Sequence, residues 1–111
     1  MQSGGKMIPD YIRIRGTTKE NRYLIIDYVV SCINSCSGYV TNHTMFSDAI
    51  IVINFEIELI GVSKLLNLMN SNGIKLLDES IAVKESFPEN LEDKFRSKEI
   101  MGSIQISFFH E

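Results

Sequence analysis

The chain has 111 residues, a formal net charge of −3, and 44% hydrophobic against 23% charged residues, which suits one folded domain with its own core. The acidic balance argues against a nucleic-acid partner, because phosphate contacts need a basic footprint. No run approaches the roughly 18 unbroken apolar residues of a membrane helix, and the two cysteines and two histidines do not stand at the spacing of a zinc site.

Residues 1–7 are mostly polar and glycine-bearing, lack the apolar stretch of a secretory signal, and read as a flexible tail before a single domain at 8–111. The first alternating run, 11–16, sends Ile12 and Ile14 to one face and Tyr11, Arg13 and Arg15 to the other. Gly16 allows a tight exit, and Thr17 or Thr18 offers a hydroxyl cap to a helix over 18–37. Ile25/Ile26, Val29/Val30, Ile33 and Cys36 recur along that helix at three- to four-residue spacing, and Ser37-Gly38 ends it. Two alternating runs follow, 39–46 and 48–57, joined at Ser47-Asp48. In the second of these, Ala49, Ile51, Ile53, Phe55 and Ile57 form a wholly apolar face that belongs under the helices. Ile50, Val52, Asn54 and Glu56 form an open face, shared with Arg13, Arg15 and some of Tyr39, Thr41 and His43. A second helix over 59–72 buries Val62, Leu65, Leu66 and Met69 and stops at Asn70-Ser71-Asn72-Gly73, after which a fourth apolar run begins at Ile74.

This order, β-α-β-β-α-β over 11–83, is the α+β, ferredoxin-like motif. An extension at 84–111 adds a charge-rich helix over 89–101, begun at Pro88 and anchored by Leu91, Phe95 and Ile100. Its final strand covers 104–109. Such a strand is expected to cover a sheet edge or to be exchanged with a second copy. Together with the apolar Ile50 and Val52 on the open face, this predicts a homodimer.

Ile12-Arg13-Ile14-Arg15-Gly16 leading into a helix, the hairpin at Ser47-Asp48, and Asp48-Ala49-Ile50-Ile51-Val52-Ile53 before the second helix together resemble the ACT domain. The resemblance covers about two thirds of the chain. It implies a non-enzymatic regulatory module that holds a small polar ligand, such as an amino acid, between protomers. The corresponding loop here reads Gly16-Thr17-Thr18-Lys19-Glu20-Asn21-Arg22 and departs from the family by lacking a proline and a glycine in its second half. The same element order is similar to that of the dimeric α/β-barrel proteins, which include small enzymes, and to that of RNA-recognition motifs. The third strand lacks the aromatic-glycine signature that stacks bases in the latter.

Arg13 and Arg15 on one strand face suit a bidentate grip on a carboxylate or phosphate. Alternatively they pair with acids such as Glu56 across the sheet. Thr17, Thr18 and Asn21 at a helix start offer hydroxyl, amide and backbone N–H groups to an anion, or simply cap the helix. These five are the candidate ligand residues. His43 is the one catalytic candidate, as a general base for an enzyme of the α/β-barrel kind; otherwise it is a surface histidine. His110, next to the last residue, is expected to fray. Cys32 and Cys36 share one helix face, where a bridge would constrain little of the unfolded chain, so they read as buried, reduced packing residues suited to a reducing cytosol. No cofactor or metal is implied. A protein-interaction domain remains the third functional class.

Overall fold

The computed structural model describes residues 8–88 and 91–109. The expected tail at 1–7, the start of the expected 89–101 helix, and His110 lie outside them. In chain order the elements are β1 (Tyr11–Thr18), α1 (Arg22–Ser35), β2 (Gly38–Ser47), β3 (Ile50–Glu58), a 3-10 turn (Leu59–Gly61) running into α2 (Val62–Met69), β4 (Ile74–Leu76), α3 (Asp78–Ser86), α4 (Asp93–Arg96) and β5 (Glu99–Phe108).

The five strands make one mixed sheet in the order β2-β3-β5-β1-β4. β5 runs parallel to β1 from Tyr11↔Met101 to Thr18↔Phe108 and antiparallel to β3 from Ile50↔Ser107 to Glu58↔Glu99. The chain is therefore α+β, and its last strand sits at the centre of the sheet, which corrects the expectation of an edge or exchanged strand. The physical reason lies in β5 itself. Ile100, Ile104, Ile106 and Phe108 are all buried on its helix side, and even Ser103 on the other side is covered. A strand flanked on both sides also satisfies its backbone on both sides.

The alternation of β3 is reproduced from Ile50 to Glu58, but Ala49, expected on the buried face, is exposed in the turn before the strand. Ile51, Ile53, Phe55 and Ile57 are buried, and Ile50, Val52, Asn54 and Glu56 are half-covered on the other face. Above the buried face, α1 contributes Ile25, Val29, Cys32 and Ile33, and α2 contributes Val62, Leu65, Leu66 and Met69. The turn into α2 depends on Gly61, because a Cβ there would lie 1.6 Å from the Cys36 carbonyl oxygen. Asn72 and Gly73 take positive φ at the end of α2, as the polar stop predicts.

Several local expectations are corrected. β1 continues through Thr18, so neither Thr17 nor Thr18 caps α1. Asn21 does, its Oδ1 accepting from the N–H of Tyr23 at 2.9 Å and of Leu24 at 3.4 Å. Ser37, not Gly38, takes the positive φ after α1. Residues 78–86 form a helix, with Asp78 and Glu79 in the first turn and Lys84 in the last, a charge order that complements the helix dipole. The expected 89–101 helix shrinks to the single turn of α4, since β5 already starts at Glu99. In β2 the register slips between Val40 and Asn42. Of the three candidates for the open face, Tyr39 is there, opposite Glu56, whereas the irregularity puts His43 opposite the buried Ile53, on the helix side.

Candidate functional site: a cleft at the β1 edge

β4 is only three residues long and pairs with β1 at Gly16, Thr17 and Thr18. Farther back along β1 its place is taken by the start of α3. The N–H of Leu77 donates to the Arg15 carbonyl at 2.9 Å, and the N–H of Arg15 donates to Ser80 Oγ at 2.7 Å. Ser80 is completely buried; its hydroxyl therefore finishes an edge that the short strand leaves bare. Backbone groups on alternate strand residues point the same way, so those of Tyr11 and Arg13 also turn outward, beyond the reach of β4.

There β1 and α3 diverge around a cleft of about 460 Å³, within the size range of small-molecule sites. Ile12, Val83 and Phe87 give it apolar walls; Arg13, Glu79 and Ser86 supply polar groups. Arg13 lies over the Tyr11 ring, 5.7 Å from its centre, a contact that steadies the guanidinium at the rim. Glu79 is held by Arg15, Nη1 to Oε1 at 2.6 Å. The cleft thus presents one positive and one negative group around an apolar interior.

The five expected ligand residues do not converge. Arg13, Arg15 and Thr17 share the open face of β1, and Arg13 alone of the five borders this cleft. Thr18 is buried on the opposite side, its Oγ1 donating to the Gly73 carbonyl at 2.8 Å and accepting from the Glu20 N–H at 3.1 Å. Asn21 is occupied as the cap of α1. It does border a second hollow of about 410 Å³, with Arg22, Tyr23 and Asp48. In that hollow Arg22 Nη1 donates to Asp48 Oδ1 at 3.1 Å, and this hydrogen bond raises the pKa of the guanidinium above its ordinary value. His43 is exposed and borders neither cavity. Among the described residues no three His, Cys, Asp or Glu side chains gather where they would hold a metal ion, and no helix is long and apolar enough to cross a membrane.

Sequence reasoning missed Glu79 and Val83 because residues 74–83 read as a strand, and Phe87 because it fell in the charge-rich extension after it. The signal for a helix was present in Asp78-Glu79 and Lys84, acids before a base at helix-end spacing.

Cys32 and Cys36 are both buried and unbridged. Burial pushes the Cys32 thiol up from its ordinary value, against a smaller lowering by a hydrogen bond from Tyr28. The unfolded chain therefore loses this proton first. Stability that is full below the ordinary thiol range is lost as pH climbs from there through the raised value. We predict that Cys32→Ala removes this alkaline loss in urea titrations. The double alanine variant should fold at a cost of about 1 kcal/mol per site, the usual size of a point substitution. Stoichiometric zinc in the parent, lost in the double variant, would contradict a packing role.

No protein-family model matches the chain, and no curated protein or solved structure matches it significantly.

Proposed function

We propose that the protein is a non-enzymatic ligand-binding module, of the regulatory kind that the ACT resemblance implies, and that the cleft between β1 and α3 holds a small zwitterion such as an amino acid. The observation that carries this reading is that Arg13 and Glu79, the latter held by Arg15, both line a cavity with Ile12, Val83 and Phe87 in its walls. Arg13 would take a carboxylate through charge-assisted hydrogen bonds, Glu79 an ammonium group, and the apolar walls a side chain. The outward backbone of Tyr11 and Arg13 adds donors and acceptors that fix orientation. Binding in the cleft would favour whichever arrangement of the β1–α3 junction the ligand contacts best and shift the population toward it.

The test is a thermal-shift and calorimetric screen against single amino acids at millimolar concentration. A ligand present at 100 times its Kd adds about 2.7 kcal/mol of stability. Arg13→Ala should weaken that ligand by roughly ten- to a hundredfold, the value of a hydrogen bond to a charged group. A stabilisation that survives Arg13→Ala but is lost in Arg22→Ala would move the site to the loop hollow. No stabilisation by any amino acid would remove the reading.

A further inference from the structure

The helices leave one face of the sheet uncovered, and the strand registers define what it displays. Successive cross-strand rows read Glu58-Glu99, then Tyr39-Glu56-Met101-Tyr11, then Asn42-Asn54-Ser103-Arg13, then Thr44-Val52-Gln105-Arg15, then Ser47-Ile50-Ser107-Thr17-Lys75. Two features stand out. Glu58 and Glu99 are directly opposite each other, an arrangement of like charges that destabilises a strand pair, and no basic side chain among the described residues forms an ion pair with either. The charges are also segregated. Glu56, Glu58 and Glu99 lie at one end of the face, while Arg13, Lys75 and Arg15, the last already paired with Glu79, lie toward the diagonally opposite end.

We infer that this face is the interface of a two-fold homodimer. The occupant is a second copy because the charge pattern is complementary to itself. A two-fold axis lying in the interface and crossing the charged diagonal near Met101 and Ser103 carries the basic corner of each copy onto the acidic corner of the other. Arg13 then stands over the partner's acidic corner, and the opposed carboxylates gain a counter-charge that no described residue of their own chain gives them. The centre of the contact is made by Met101, 54% exposed in the single chain, beside the covered Ser103. Strands of the two copies cross steeply in this arrangement, one of the two ways sheets stack. Four full strands and the short β4 span roughly 20–24 by 27 Å from strand spacing and rise, so two copies can bury on the order of 1,000–1,300 Å² in total, the lower end of stable interfaces. Arg13 also lines the cleft at the β1 edge, so the assignment is tested without ligand and through Glu58 as well as Arg13.

Sedimentation equilibrium without added ligand tests it, with circular dichroism confirming that each variant is folded. The parent should show twice its 12.6 kDa chain mass at micromolar concentration, and dissociate as salt is raised. Arg13→Glu and Glu58→Arg should each weaken the dimer by at least about tenfold, because each contact occurs twice about the axis. The combined variant should recover most of the parent affinity, since the reversed charges meet again. A monomeric parent, or reversals that leave the association unchanged, would overturn the inference. So would a combined variant no better than the singles.

Discussion

A chain cut after Gly102 is expected to be unfolded. The deletion removes Ser103 through Phe108 from the middle of the sheet, where they pair with β1 on one side and β3 on the other. Ile104, Ile106 and Phe108 are 0–3% exposed. Losing three such side chains forfeits roughly 5–9 kcal/mol of burial alone, and a small domain has about 5–15 kcal/mol in total. The loss of both ladders comes on top. Without β5, the β2-β3 hairpin and the β1-β4 pair are no longer neighbours. Far-UV circular dichroism and amide dispersion in a proton–nitrogen spectrum provide the measurement. A truncated chain that kept a cooperative melt would mean that β5 is peripheral.

The central position of β5 was not legible in sequence because strand order is not a local property. Ile104, Ile106 and Phe108 alternate with Gln105, Ser107 and Phe109 equally well in an edge strand and in a central one. What alternation does encode is the face, and it encoded the faces of β3 and the buried stripe of α2 correctly. It failed in β2, where the slip at Thr41 changes the phase between Tyr39 and His43. In the candidate site, Arg13 was identifiable from its strand. Glu79 and Phe87 were not, because their proximity to Arg13 depends on α3 replacing the missing length of β4. The hydroxyls and amide that looked available for an anion, those of Thr18 and Asn21, are used to fasten β1 to the turn before β4 and to cap α1. Sequence shows which groups can bond; the fold decides which are already bonded.

Phe55→Ala is expected to cost roughly 3–5 kcal/mol, the range for removing a buried aromatic side chain. Phe55 is 1% exposed and pairs in register with Gly102 of the central strand. Its ring fills the space that a side chain at 102 would occupy. A Cβ on Gly102 would fall 2.5 Å from Phe55 Cζ and 2.9 Å from Ile12 Cγ1. Removing the ring therefore leaves a void above a glycine that has nothing to fill it, and the neighbouring Ile12 is also a wall of the cleft. Gly102→Ala alone should cost about 1–3 kcal/mol by overpacking. The two substitutions share one volume, so they should not add. The double variant is expected to be more stable than the sum of the singles by roughly 0.5–3 kcal/mol, short of full compensation because the new methyl still lies 3.0 Å from the Ile12 carbonyl oxygen. Urea titrations of the four chains measure the cycle. A loss below about 1 kcal/mol for Phe55→Ala would place the ring outside the core, and strict additivity would mean that the ring and Gly102 do not share that space.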